Sequence, residues 1–306
     1  MKKNFKKSKF VILPALATLV LTGVASVTGT VAWFTANTRV TATGMTFSAK
    51  AESNLFIATA TLDGTDRAQE SSFGTSLTQN IVGSLKPASS IDGKAFYGLK
   101  ADAKVDGSGA STGDYEPITH QTPAKADDLT DYLEYVFQLK ATNVDASATQ
   151  NIIIDTMSLK YASETSADGY EAFRAAVFVE EDQSSSTTTG NFSAVVGTSK
   201  GLYAPTGYAY FDGTKAIGKA ADSETIGKQG VTITTEATSL AEVSANTTAY
   251  YKVVVRLWLE GEDKKCNVDT FKAFTAGNWT LDLGMKLQSG TEGAITALGY
   301  NTTAQA

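Results

Sequence analysis

Ala249-Tyr250-Tyr251-Lys252-Val253-Val254-Val255-Arg256-Leu257-Trp258-Leu259-Glu260 is the stretch on which the fold turns. Tyr251, Val253, Val255, Leu257 and Leu259 recur at every second position, with Tyr250, Lys252, Arg256 and Glu260 between them. Successive side chains of an extended strand point to opposite sides, so this rhythm gathers the apolar set on one face. The stretch reads as a half-buried strand with one wet face, as antiparallel sheets allow.

The same alternation marks Leu133, Tyr135, Phe137 and Leu139; Ile153, Met157, Leu159 and Tyr161; and Trp279, Leu281, Leu283, Met285 and Leu287. These runs are rich in β-branched and aromatic residues, which suit a pleated surface. Further strands are expected over Val40 to Ala51, Leu55 to Leu62, Ala175 to Glu180 and Gly230 to Thr235, and no proline interrupts any of these proposed strands. One short helix is expected from Ser166 to Arg174, weakened by Gly169. Two stretches read as surface insertions: 102–128, with Gly107, Gly109, Gly113, Pro117 and Pro123, and 180–201, with a hydroxyl-rich run from Ser184 to Thr189. Many strands without βαβ alternation point to an all-β fold. We expect an antiparallel β-sandwich of jelly-roll type, with long loop insertions, as a single domain over 52–306.

The other end of the chain has a different character. Lys2, Lys3, Lys6, Lys7 and Lys9 lead into an apolar stretch from Phe10 to Leu21, followed by small residues ending in Thr30-Val31-Ala32. That is the pattern of a cleavable signal peptide, residues 1–32, cut between Ala32 and Trp33. An uncleaved anchor is the rival reading, since no charge falls between Phe10 and Phe34. Pro14 and the shortness of the strongly apolar part argue against it. The expectation is a secreted protein of bacterial type, extracellular or at the cell surface, that meets a membrane only through its signal peptide. No L-P-x-T-G motif or second apolar span occurs near the C-terminus.

Of 306 residues, 26 are basic and 32 acidic, for a net charge of −6. The leader holds five of the lysines and no acid, so the remainder has 21 basic against 32 acidic residues. An acidic chain is a poor partner for nucleic acid. Such an excess also keeps copies apart at long range, so assembly must come from specific contacts. With Cys266 the only cysteine, no disulfide can form within the chain.

Few residues carry chemistry. His120 is the only histidine, which excludes HExxH zinc sites and paired imidazoles. No G-x-S-x-G elbow, P-loop or G-x-G-x-x-G after a strand is present. Cys266 follows Lys264 and Lys265 in a polar turn and reads as structural, so no catalytic residue is assigned and the protein is not expected to be an enzyme. Glu260, Glu262, Asp263 and Asp269 form the one calcium candidate, although their spacing is not that of an EF-hand and a solvated turn explains them. No other cofactor is expected. Asp63 and Asp66 read as a polar connection, and Tyr250 with Trp258 as packing or, alternatively, a sugar platform.

Gly29-Thr30-Val31-Ala32-Trp33-Phe34-Thr35, followed by Val40 to Ala49 with Met45-Thr46-Phe47, resembles the junction of substrates of the SipW-type signal peptidase. That family includes TasA and the camelysin-like proteins, and the match covers about residues 23 to 50. Val253 to Cys266 also resembles a late strand and acidic turn of secreted proteins bearing this junction. The resemblance implies a jelly-roll subunit of extracellular biofilm-matrix fibres, a homo-polymer in which each copy lends an N-terminal strand to the next. Residues 33–51 would be that donor strand, with Trp33, Phe34, Val40, Met45 and Phe47 as its apolar contacts. An ordinary first strand of the same domain would use identical chemistry. Some camelysin-like relatives have been called metalloproteases, a role for which the lone His120 supplies no ligand set. The alternative function is a monomeric or anchored surface adhesion module binding glycan or host protein.

Overall fold

The computed structural model describes residues 45–52, 54–81, 84–90, 92–99, 115–118, 129–161, 170–184, 189–205, 239–261 and 279–300. Among them the structure is almost entirely β, the helical content being two single 3-10 turns, Glu70–Ser72 and Tyr170–Ala172.

The alternating residues from Ala249 to Leu259 lie in strand β13 (Thr247–Leu259), the middle of a five-stranded sheet. It pairs antiparallel with β8 (Leu133–Asn143) on one side and β10 (Phe173–Glu181) on the other. β2 (Leu55–Thr59) lies beyond β8, and β11 (Ser199–Tyr203) beyond β10. The larger sheet runs β12 (Ala241–Val243), β9 (Gln150–Tyr161), β14 (Trp279–Gln288), β1 (Met45–Glu52), β3 (Ser76–Ile81), with β15 (Gly299–Tyr300) also on β9. Two short pairs complete the set: β4 (Ser84–Leu85) with β7 (Leu129–Thr130), and β5 (Phe96–Leu99) with β6 (Tyr115–Ile118). β6 holds Pro117 opposite Tyr97, in a two-stranded ladder where a missing N–H costs little.

Period two then does its work. Tyr251, Val253, Val255, Leu257 and Leu259 join Tyr135, Phe137 and Leu139 of β8 and Phe173, Ala175 and Val177 of β10 in one buried cluster. The same cluster takes in Phe47 and Ala49 of β1, Met157 and Leu159 of β9, and Leu281, Leu283 and Met285 of β14. Each large apolar side chain so buried contributes about 1.5–3 kcal/mol of transfer free energy.

Two expectations about alternation are corrected. Ile153 was expected on the face of Met157 and Leu159, but the ladder between β14 and β9 shifts register between Gly284 and Met285, pairing Gly284 with Thr156 and Met285 with Ile154. Asp155 is the extra residue, and such a bulge reverses the parity of the strand. Ile152 and Ile154 therefore join the core cluster, and Ile153 lies outside it although buried. Gly284 permits this: a Cβ there would stand 2.6 Å from Asp155 Oδ1.

The second correction concerns the wet face of β13. Lys252, Arg256, Trp258 and Glu260 are exposed by 2%, 5%, 0% and 0%. A second apolar cluster covers that side, made of Val254 and Trp258 with Val136, Ala176 and Phe178, and roofed by Ala88, Phe96, Tyr132 and Val196. The stretch 180–201 is accordingly more than a surface insertion, since Phe192 and Val196 are buried and its end enters β11. The helix expected from Ser166 to Arg174 is, where described, the Tyr170–Ala172 turn running into β10 at Phe173. The strand expected at 230–235 and most of 102–128 lie outside the described residues.

Candidate functional site

β1 is the candidate assembly strand, and its neighbours come from distant parts of the chain. It lies between β14, to which it is parallel, and β3, to which it is antiparallel. Phe47 faces Leu281 on one side and Gln79 on the other, and Met45 pairs with Ile81. The Phe47 ring is buried and stacks on Tyr135 at 4.5 Å and Phe137 at 5.6 Å between centroids, crossing to the five-stranded sheet. Ala49 and Ala51 follow on the same inward face. Strand spacing of about 4.8 Å means that without β1 a slot of roughly 10 Å would separate β14 from β3. Trp33, Phe34 and Val40, and the cleavage pair Ala32 and Trp33, lie outside the described residues.

Beneath Phe47, the Tyr135 hydroxyl is fully enclosed and has no hydrogen-bond partner among the described residues. Burial alone pushes its ionisation well above the ordinary phenol range. It is a core tyrosine held neutral.

The polar residues of the β13 outer face are absorbed into clusters that fasten loops to the sheet. Lys252 Nζ donates to the carbonyl oxygens of Leu62 and Gly64, at 3.0 and 3.1 Å, and to that of Ser193. Desolvation lowers its pKa, opposed by the nearby charges of Glu180 and Asp63. It borders a cleft of about 220 Å³ lined also by Leu62, Phe178, Val196 and Val254. Arg256 Nε donates to Glu134 Oε2 at 2.9 Å, and its guanidinium stacks over Tyr132 at 4.4 Å. Asp63 and Asp66 sit in the connection that these bonds secure, Gln138 Nε2 donating to the Asp66 carbonyl at 2.8 Å.

Tyr250 belongs to a separate cluster at the far end of β13. Arg67 donates through Nη2 to Asp182 Oδ2 at 2.6 Å, and its guanidinium lies 3.9 Å over the Tyr250 ring. Burial pushes the Asp182 carboxyl upward, but backbone N–H groups of Ser184 and Asn191 together with Arg67 outweigh it and hold it below the usual range. The Tyr250 hydroxyl donates to Glu70, which also takes Lys140. Burial and the Glu70 acceptor push Tyr250 up to about 12.

Of the calcium candidates, Glu260 is buried and accepts from Ser89 Oγ, from the Ser90 N–H and from Trp258 Nε1. Its carboxylate ties the segment after β4 to the end of β13, where Gly261 N donates to the Ala88 carbonyl at 3.2 Å. Glu262, Asp263 and Asp269 lie outside the described residues, as do His120 and Cys266. Among the described residues no three His, Cys, Asp or Glu side chains gather as a metal site.

Sequence reasoning missed the loop-fastening role of Lys252, Arg256 and Glu260, because polar residues at alternate positions ordinarily face water. The signal was present in Val254 and Trp258, apolar residues in the same register. Comparison of the chain with protein families, with curated proteins and with solved structures finds no match in any of the three.

Proposed function

We propose that the chain is a secreted structural subunit of extracellular fibres or biofilm matrix, a homo-polymer assembled by exchange of β1 between copies. One observation carries the reading: the N-terminal strand fills a slot between β14 and β3. Only residues 53 and 54 separate it from β2 of the other sheet. A strand inserted this way makes the same ladder whether it belongs to its own chain or to a neighbour, which is why exchange is a low-cost route to assembly. The junction resembling SipW-type substrates supports the reading, as does the pair of sheets around one core, which we take as a β-sandwich of jelly-roll type. Export through such a peptidase gives Trp33 as the first residue of secreted material, which mass spectrometry reads directly.

Ser48 and Asp282 are register partners on the outer side of the β1–β14 ladder. Cysteines at paired strand positions fall within the span of about 4.4–6.8 Å between Cα atoms that a disulfide accepts. In a Cys266→Ser background, the pair Ser48→Cys and Asp282→Cys is expected to give a covalent ladder of oligomers on a non-reducing gel, with filaments in the electron microscope. Cross-linked monomers alone, without filaments, overturn strand exchange and favour the surface adhesion module.

A further inference from the structure

A sheet ends in strands whose outer backbone groups can pair with another chain, and native proteins blunt such edges with charge, proline, shortness or cover. Among the described residues, five strands border the two large sheets, and four are blunted. β12 is three residues long and carries Glu242, and β15 has two residues. β11 carries Lys200 and runs on to Pro205. β2 is covered by Gly74, which exchanges both backbone hydrogen bonds with Ile57, at 2.7 and 2.8 Å. Among the described residues, β3 has none of these devices. It is six residues long, Ser76-Leu77-Thr78-Gln79-Asn80-Ile81, and no charged residue or proline occurs anywhere from 71 to 85.

The register shows which backbone groups of β3 point away from the sheet. Ala51 N donates to the Thr75 carbonyl at 2.9 Å, and the pairing continues as Ala49 with Leu77 and Phe47 with Gln79. Antiparallel ladders alternate bonded and non-bonded pairs, so Leu77, Gln79 and Ile81 bond to β1, and Ser76, Thr78 and Asn80 direct their N–H and C=O groups outward. The side chains of Ser76, Thr78 and Asn80 are also exposed.

We propose that β3 is a second assembly surface, pairing antiparallel with β3 of another copy of this chain about a two-fold axis at Thr78. Thr78 then faces Thr78 and Ser76 faces Asn80, cross-strand pairs that hydrogen bond without charge. The strand is thus its own complement, and a two-fold contact of this kind closes as a dimer. Two acidic copies repel at long range, and an uncharged strip is where close approach is least opposed. The contact leaves β1 and its slot untouched, so it stands apart from strand exchange and would join subunits or fibres side by side.

Sedimentation of the purified protein across a concentration series tests this. Thr78→Lys places like charges face to face, and Thr78→Pro removes an outward N–H that β1 does not use. Both are expected to weaken dimerisation by about tenfold or more with the circular dichroism unchanged. In a Cys266→Ser background, Thr78→Cys is expected to give a disulfide-linked dimer and no longer ladder, which separates this contact from exchange of β1. A wild-type chain that stays monomeric at every concentration, or a dimer unaffected by Thr78→Lys, overturns the proposal.

Discussion

Phe47 of β1 lies nearly flat on Tyr135 of β8, with ring centroids 4.5 Å apart and planes 21° from parallel, so the first described strand is anchored to the opposite sheet by an aromatic stack. Phe47→Ala would lose that stack, the contact with Phe137 and the buried ring area together. The expected cost is about 3–5 kcal/mol, read from urea denaturation. Phe47→Leu, which refills most of the volume, is expected to cost clearly less.

Tyr135 offers the opposite sign. Its buried hydroxyl has no partner among the described residues, and an unsatisfied buried polar group costs about 1–3 kcal/mol. Tyr135→Phe keeps the ring against Phe47 and is expected to leave stability unchanged or raise it by up to that amount, as a shift in denaturation midpoint at constant slope.

The Arg67–Asp182 pair makes stability sensitive to acid. Both side chains are at least nine-tenths buried, and the Asp182 carboxyl is held below its ordinary range. A carboxyl depressed in the folded state stabilises fully above its unfolded pKa, and that contribution is lost as pH falls through the folded value. Breaking one side of a buried pair costs about 3–5 kcal/mol, so Asp182→Asn is expected to destabilise by an amount of this order at neutral pH. The difference from wild type should shrink on acidification below the ordinary carboxylate range, which thermal melts across a pH series measure.

Gly284 and Asp155 should be coupled. A methyl at Gly284 would sit 2.6 Å from Asp155 Oδ1, so Gly284→Ala is expected to cost about 1–3 kcal/mol through overpacking. In the Asp155→Ala background the same substitution should cost less. A double-mutant cycle with no coupling would show that the bulge is held by the backbone rather than by this contact.

Legibility in the sequence tracked how local the physics is. β14 spans Trp279–Gln288 where the alternation from Trp279 to Leu287 places it, because a strand with one face in the core repeats every two residues whatever its partner. β9 misled at Asp155, since one inserted residue leaves no mark in composition while reversing every side chain beyond it. β3 and β11 escaped notice because Ser76–Ile81 and Ser199–Tyr203 are edge strands with few large apolar residues. On the site, the sequence named Met45 and Phe47 among the apolar contacts of the donor strand, while the structure buries Phe47 in the core of its own chain.

Taken alone, the sequence determined the all-β class, the inward face of β13 and β8, and the acidic, single-cysteine character of the chain. These follow from residue type and period, which are properties of a short window. Only the tertiary structure decided that β1 lies parallel to β14 and antiparallel to β3. It also decided that the outer face of β13 is buried and that Glu260 serves Ser89 and Trp258. Those outcomes depend on segments separated in the chain, as Phe47 is from Leu281 and Ser89 from Glu260, and a strand's pattern records which side is buried but not which strand or loop does the burying.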